Sequence, residues 1–194
     1  MDKTSYALGM SIAHNLMGNG VEGLAFEDFA AGVKDTMTGA TGAISIEEAG
    51  SLLNTFFKEL EEKQSGAAKK EGAEWLARNA RKDGVTTTAS GLHYKVITRG
   101  SGRKPGLGSR VKCHYEGRFI DGKVFDSSYQ RGEPTVFGVT QVIRGWTEAL
   151  PMMSEGAKWE LYIPYNLAYG EAGAQGAIPP YSTLIFTVEL LEVL

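Results

Sequence analysis

The sequence predicts an α+β protein: an N-terminal all-helical region with a long linking helix, then a curved antiparallel β-sheet wrapped over one short helix. Up to about residue 83, apolar residues recur at helical spacing. From about residue 85, apolar and polar residues alternate with a period of two, which is typical of strands with one buried face. This change of period divides the chain into two domains, residues 1–83 and 84–194.

The first two predicted helices carry more apolar surface than one chain can bury. In the first, the apolar positions are Tyr6, Leu8, Gly9, Met10, Ile12, Ala13, Leu16 and Met17. They cover an arc of ~200° on a helical wheel, against ~100° for an ordinary one-sided helix. The second helix carries a narrower stripe of Phe26, Phe29, Ala30, Val33 and Met37, and the breaks are Asn19-Gly20 and Thr38-Gly39.

An arc that wide is too broad to hide against a single neighbour in so small a region. We therefore expect two copies of the chain to pair as a homodimer through residues 1–40. The expected interface residues are Tyr6, Met10, Ile12, Met17, Phe29 and Val33.

A long third helix is predicted from Ser45 to Lys82. Ser45 and Glu48 have the spacing of a capping box at its start, and Gly84 stands just past its end. About 38 residues at 1.5 Å each would span roughly 57 Å. Beyond Leu60 the apolar face thins out, so we expect the second half of this helix to be a solvent-exposed arm.

Four alternating segments predict the sheet: residues 92–96, 111–116, 159–163 and 184–190. Asp121-Gly122 is a strong signal for a two-residue hairpin turn. One short helix fits after Gly145, and it would carry Trp146. Pro151 disfavours helical geometry at the residue before it, so the helix is expected to end there.

Composition argues against several classes of protein. A net charge of −3 does not suit a nucleic-acid binder, which is normally basic. No apolar run reaches membrane-spanning length, and the first residues lack the apolar core of a signal peptide. The single cysteine excludes an internal disulfide. We expect no nucleic-acid or membrane partner and a cytoplasmic protein, with the periplasm as the alternative if a signal peptide has been removed.

Residues that carry metal or covalent chemistry are sparse and scattered. Alternation places Cys113 on the buried face of its strand, where it is expected to act as a small hydrophobe. His14, His93 and His114 show no metal-ligand spacing, and the last two fall on the polar faces of their strands. No serine stands in a nucleophile elbow. The sequence therefore predicts no metal and no cofactor.

A cluster of aromatic residues is the main functional feature. The segment 141–146 ends in Trp146; Phe125 and Asp126 precede it, and Tyr169 follows. Taken singly, the aromatic residues suit a core, and Asp126 suits a turn where it bonds nearby backbone or an arginine, Arg118 or Arg131. Taken together, they predict an apolar cleft with a few polar groups.

The order of several motifs resembles that of FKBP-type peptidyl-prolyl cis-trans isomerases. The resemblance covers residues 92–194 and rests on His114-Tyr115-Glu116-Gly117, Val124-Phe125-Asp126-Ser127-Ser128, Val142-Ile143-Arg144-Gly145-Trp146, Ala168-Tyr169-Gly170, Ile178-Pro179-Pro180 and the segment 186–191. The helical front half is similar to the dimerisation region of the Mip-like bacterial branch. This implies an isomerase that accelerates X-Pro isomerisation during protein folding, with proline-containing polypeptides as clients and macrolides as candidate inhibitors.

The resemblance also implies roles for individual residues. The catalytic residues would be Tyr115, Asp126, Ile143 and Tyr169. The substrate-binding residues would be Phe125, Phe137, Val142, Trp146, Ile178 and Phe186. Trp146 would form the floor, and the Tyr169 hydroxyl and the Ile143 N–H would donate hydrogen bonds to a substrate carbonyl.

Two alternatives stand beside the isomerase hypothesis. A proline-pocket chaperone or assembly module would keep the cleft and turn over weakly, and a structural dimer would use the sheet domain only to dock a partner. The isomerase hypothesis fits the residue types because rotation about an X-Pro amide breaks no bond and needs no nucleophile.

Overall fold

Three helices open the chain, as the sequence predicts. A computed structural model describes residues 1–194; α1 spans Lys3–Gly18, α2 spans Phe26–Thr38 and α3 spans Ile46–Asn79. Ser45 caps α3 by accepting a hydrogen bond from the Glu48 N–H at 3.1 Å. The helix ends before Lys82, because the last N–H groups turn to carbonyls three residues back, Lys82 to Asn79 among them.

The sheet region contains seven strands, two short α-helices, and two 3-10 helices at Leu150–Met152 and Tyr165–Leu167. The strands are β1 Val85–Thr87, β2 His93–Thr98, β3 Arg110–Phe119, β4 Val124–Ser127, β5 Thr135–Gly138, β6 Lys158–Ile163 and β7 Leu184–Val193; the helices are α4 Ser128–Arg131 and α5 Arg144–Ala149. Every pairing is antiparallel, in the order β1-β2-β6-β7-β3-β4 with β5 beside β3. The predicted α+β class, with one short helix against an antiparallel sheet, is confirmed.

The chain forms two compact units, Met1–Gln64 and Ser65–Leu194. In the first unit, α1 and α2 contain no buried residue, and Val21 is the one buried apolar side chain. The second unit has a contiguous core between the sheet and α5, with Val111, Cys113, Leu161 and Val188 fully buried. The unit boundary falls inside α3, and a functional division after residue 83 stays a prediction.

The second half of α3 packs on the outer face of the sheet, so the expectation of a solvent-exposed arm is wrong there. Gly72, Leu76 and Asn79 are buried. Leu76 forms a small apolar cluster with Tyr162 of β6 and Ile185 of β7, which are paired neighbours. Of these three buried residues only Leu76 is a large apolar side chain. The apolar pattern of the helix therefore does not indicate a buried face.

His93 is buried and does not lie on a solvated face as expected. It pairs with Tyr162, on the face where α3 packs, and 7% of its surface is exposed. Burial lowers the pKa of its imidazole and favours the neutral form. Alternation along β2 predicts only that His93 lies on the outer face of the sheet. The packing of α3 on that face is what buries it.

The hairpin between β3 and β4 is present, but its loop is one residue longer than predicted. The Phe119 N–H donates to the Lys123 carbonyl, and the Gly122 N–H donates to the Phe119 carbonyl. Gly122 has φ of 91°, which closes a turn of three residues, 120–122. Among the helices of the chain, none has both the length and the apolar character needed to cross a bilayer.

Candidate active site

A cavity of about 360 Å³ lies in the second unit, where β3, β4, β5 and β7 meet the segment leading into α5. Its lining residues are Tyr115, Phe125, Asp126, Phe137, Gln141, Val142, Ile143, Trp146, Tyr169 and Phe186. These include nine of the ten residues expected from the sequence to form the site. Residues far apart in sequence meet because the central strands bring β4 and β7 to either side of β3.

Trp146 lies at the centre of the aromatic lining and is 3% exposed. Three rings stand edge-on to its indole: Tyr115 at 5.5 Å, Phe137 at 5.4 Å and Phe186 at 5.4 Å between centroids. Edge-to-face contacts of this kind are favourable beyond the area that they bury. They fix the indole in one orientation at the base of the cavity.

A hydrogen-bonded network occupies one wall. The Tyr115 hydroxyl donates to Asp126 Oδ2 at 2.5 Å, and the Arg131 guanidinium pairs with the other carboxylate oxygen. Arg131 also donates to the Tyr115 hydroxyl at 3.0 Å. Burial and the bond to Asp126 raise the pKa of Tyr115, so its hydroxyl stays protonated. Both oxygens of Asp126 are therefore engaged within the protein.

The Ile143 N–H and the Tyr169 hydroxyl are donors in the lining without an acceptor within the chain, as is the buried Trp146 indole N–H. The Ile143 N–H precedes the first turn of α5, where backbone N–H groups lack helical partners, and only the Ile143 carbonyl is bonded. The Tyr169 hydroxyl makes no hydrogen bond, and its ring is about two-fifths exposed. Burial, and secondarily the nearby Asp126, raise the pKa of Tyr169 and keep its proton in place. Both groups can donate to a bound carbonyl.

Comparison with known proteins assigns the chain to a family. A model described as FKBP-type peptidyl-prolyl cis-trans isomerase matches residues 101–191, and one described as the domain amino terminal to it matches residues 1–96. The chain is 44% identical to the FKBP-type 22 kDa peptidyl-prolyl cis-trans isomerase of Escherichia coli (strain K12), covering 99% of this chain and 95% of that protein. This chain belongs to the FKBP-type peptidyl-prolyl cis-trans isomerases.

Further relatives agree with this FKBP-type assignment along the whole chain. The outer membrane protein MIP of Legionella longbeachae is 39% identical to this chain. The match spans 99% of this chain and 85% of that protein. The crystal structure of FkpA from Escherichia coli matches with a TM-score of 0.75 and 38% identity, covering 98% of this chain and 95% of that one. The sequence-based prediction of an isomerase of the Mip-like branch is confirmed.

A glycine that the sequence analysis left without a role shapes this FKBP-type pocket. Gly117 of β3 pairs with Asp126 on one side and Phe186 on the other. A Cβ on Gly117 would stand 2.6 Å from the Phe125 ring and 2.7 Å from the Phe186 ring. Only a residue without a side chain lets these two rings meet edge-to-face at 5.6 Å.

Ile178 and Gln141 differ from the expected site. Ile178 does not line the cavity; it is 6% exposed, belongs to the core and forms a backbone bridge with Ala174. Its role in substrate binding stays a prediction. Gln141 lines the cavity although it was not predicted to. The only sequence feature that indicates Gln141 as a lining residue is its position directly before Val142.

Proposed function

We propose that this isomerase accelerates X-Pro rotation by removing water from the amide and hydrogen-bonding its twisted form. A proline ring would lie over Trp146, with its amide between the Ile143 N–H and the Tyr169 hydroxyl. The observation that carries the proposal is that the Ile143 N–H and the Tyr169 hydroxyl are unpaired donors within an aromatic cavity. Such a cavity favours a weakly polar group and still offers it two hydrogen bonds.

The physical basis is the polarity of the amide. The barrier to rotation is about 20 kcal/mol because resonance holds the C–N bond planar and separates charge. A twisted amide loses much of that separation, so an apolar cavity disfavours the planar form relative to the twisted one. A millionfold acceleration requires about 8 kcal/mol of differential stabilisation, which needs no covalent step.

Asp126 has a supporting role in this mechanism. One of its oxygens accepts from Tyr115 and the other pairs with Arg131, so neither is free to take a proton from a substrate. The carboxylate instead holds the Tyr115 ring against Trp146. We assign Asp126 and Tyr115 to positioning and to the electrostatic field of the cavity.

Catalysis of X-Pro isomerisation in a short peptide tests the mechanism. We expect Tyr169→Phe, which removes one neutral hydrogen-bond donor and keeps the ring, to lower kcat by about tenfold. Tyr94→Phe removes a hydroxyl outside the cavity and should leave kcat unchanged. Binding of a macrolide such as rapamycin with negligible turnover would favour the alternative, a chaperone or assembly module. Absence of both binding and turnover would overturn the proposed site.

We further propose that residues 1–40 form a homodimer. In a single chain, the large apolar residues of α1 and α2 are exposed, including Tyr6 at 59%, Met10 at 56%, Met17 at 72% and Phe26 at 73%. A second copy presents the same apolar surface and can cover it in a self-complementary pairing. Light scattering at micromolar concentration should give twice the chain mass of 20.9 kDa. A mass near 20.9 kDa would refute the dimer.

Two active sites in one particle suit an enzyme whose clients are unfolded chains. A client bound at one site is present at a raised effective concentration for the second. The pocket itself is unchanged by pairing, so short peptides should gain nothing from the dimer. We therefore propose proline-containing polypeptides in the course of folding as the physiological clients.

The cytoplasm is the proposed compartment, with the periplasm as the alternative. The single thiol, Cys113, is buried, so the fold requires no oxidising surroundings. One relative is named an outer membrane protein, which favours the alternative. Fractionation of the source cells, followed by detection with an antibody to this chain, distinguishes the two.

A further inference from the structure

The second half of α3 contacts residues 181–183, the segment just before β7. Residues 65–79 of α3 belong to the same compact unit as the cavity. Lys69 Nζ lies 4.1 Å from the centroid of the Tyr181 ring, a cation–π contact. Three residues on, a Cβ at Gly72 would stand 2.3 Å from Thr183 Oγ1. One face of the helix therefore holds residues 181–183 at two points.

Tyr181 has an unusual backbone. It is the one non-glycine residue of the chain with a positive φ, at 57°. This left-handed conformation is unfavourable for a residue with a Cβ and persists where the surroundings fix it. Here the ring is held between Lys69 and the edge of Tyr165, whose centroid lies 5.3 Å away.

Gly170 links Tyr181 to the active site. The Tyr181 N–H donates to the Gly170 carbonyl at 3.0 Å, and the Gly170 N–H donates to the Tyr165 carbonyl at 2.8 Å. Gly170 directly follows Tyr169, whose ring lines the cavity. The backbone next to Tyr169 is therefore fixed from both sides, and one of the two supports depends on Tyr181.

We infer that Lys69 and Tyr181 are positioning residues of the isomerase, through which α3 sets the place of the Tyr169 hydroxyl. Lys69 holds the Tyr181 ring, Tyr181 holds Gly170, and Gly170 fixes the backbone of Tyr169. Neither residue lines the cavity. The inference rests on the proposed function, in which Tyr169 donates a hydrogen bond to the substrate.

Lys69→Met in the full chain tests the first link. It removes the charge and keeps an unbranched side chain, so the fold should persist with an unchanged Tm. We expect kcat on a short X-Pro peptide to fall about three- to tenfold with KM unchanged, because a small displacement of a catalytic donor lowers the rate. Lys69→Arg keeps a cation over the ring and should restore kcat. Lys70→Met, the same change at an exposed neighbour, should have no effect.

The double variant Lys69→Met/Tyr169→Phe separates positioning from general stability. If Lys69 acts through the Tyr169 hydroxyl, the double variant loses no more activity than Tyr169→Phe alone. Additive losses, or wild-type kcat in Lys69→Met, would overturn the inference while the proposed role of Tyr169 stands. Wild-type kcat in Tyr169→Phe would overturn that role, and the inference with it.

Gly72→Ala tests the second contact independently. The added Cβ would push α3 away from Thr183 and should lower kcat. Adding Thr183→Ala removes the Oγ1 that the Cβ meets, so kcat should recover. An unchanged kcat in Gly72→Ala, or no recovery in a double variant with wild-type Tm, would count against the inference.

Discussion

The two compact units of this chain bury their apolar residues to very different degrees. In Met1–Gln64 the only buried apolar side chain is Val21, whereas in Ser65–Leu194 residues such as Leu161, Ile163 and Val188 are fully buried. Both regions are rich in apolar residues at regular spacing. The difference teaches that one chain completes the core of the sheet unit and leaves the helical unit without a core, which is why we propose that a second copy covers it.

The largest effect is expected from charges in the helical unit. In the double variant Met10→Glu/Ile12→Glu, carboxylates replace apolar residues of the proposed dimer interface. We expect a monomer by analytical ultracentrifugation, loss of helical circular dichroism, and slower proline-limited refolding of a whole client protein. Activity on a short X-Pro peptide should stay intact.

Ser11→Glu is the matched control for that variant, because it places a carboxylate on the polar side of α1. It should remain a dimer and keep its activity on whole clients. A double variant that is still a dimer would show that the helical unit is covered in another way, and the comparison between the units would lose its basis.

The next largest effect is expected at the centre of the sheet unit. Trp146→Ala removes a 3% exposed indole and should lower the free energy of unfolding by about 3–5 kcal/mol. It should also lower kcat/KM by about a hundredfold, since the proposed floor of the site is lost; denaturant titration and the peptide assay measure the two. Phe26→Ala in the helical unit removes a ring that is 73% exposed in one chain and should leave peptide turnover unchanged. Equal losses in both variants would contradict separate roles for the units.

A smaller effect is expected from filling the space beside the aromatic rings. Gly117→Ala adds a methyl group that meets Phe125 and Phe186 and should cost about 1–3 kcal/mol. Because both rings line the cavity, kcat/KM should fall as well, measured at a temperature where the variant is folded. Gly108→Ala, where nothing lies within 4 Å of the added carbon, is the control. Wild-type activity in Gly117→Ala would show that the rings have room to move.

Asp126→Asn should lower kcat/KM only about three- to tenfold. The substitution removes a partly exposed ion pair with Arg131, of a kind that contributes little by itself, and keeps one acceptor for Tyr115. Loss of a general base would cost on the order of a hundredfold to ten-thousandfold instead. Asp121→Asn in the hairpin loop is the control, and a loss of that larger size would show that the proposed positioning role is wrong.

The smallest effect concerns Cys113 and appears only at high pH. Burial raises the pKa of its thiol from 9.0 to about 12, so the fold favours the protonated form. The contribution of the Cys113 thiol to the free energy of unfolding is at its maximum below about pH 9. It falls by about 1.4 kcal/mol per pH unit as pH rises towards 12.

Denaturant titrations at pH 9 to 10.5 measure this slope. Cys113→Ala, which lacks the thiol, should show a shallower loss of stability over the same range than the wild type. The other groups that titrate at high pH are common to both proteins, so the difference in slope isolates Cys113. Equal slopes in the two proteins would contradict the assignment.

Local patterns were enough to predict most of the architecture. Helical spacing placed α1 and α2, the pair Ser45 and Glu48 placed the start of α3, and alternation put Cys113 and Tyr115 on the buried face of β3. Nine of the ten expected site residues line one cavity, with Tyr115, Phe125, Asp126, Phe137 and Phe186 on strands and the others in α5, the segment before it and the turn at Tyr169. The helices, the cap and the strand faces follow from side-chain periodicity and capping, which are properties of neighbouring residues. The set of site residues came from the resemblance to the FKBP-type family.

Tertiary structure alone decided the features that depend on residues distant in sequence. No local pattern shows that Gly117 must lack a side chain so that Phe125 and Phe186 can meet, because those rings come from two other strands. The burial of Leu76 follows from the packing of α3 on the outer face of the sheet, which apolar spacing along the helix did not indicate. The sequence by itself determined which residues share a face. Which faces are covered was settled by the three-dimensional packing, because burial depends on the whole surface that surrounds a side chain.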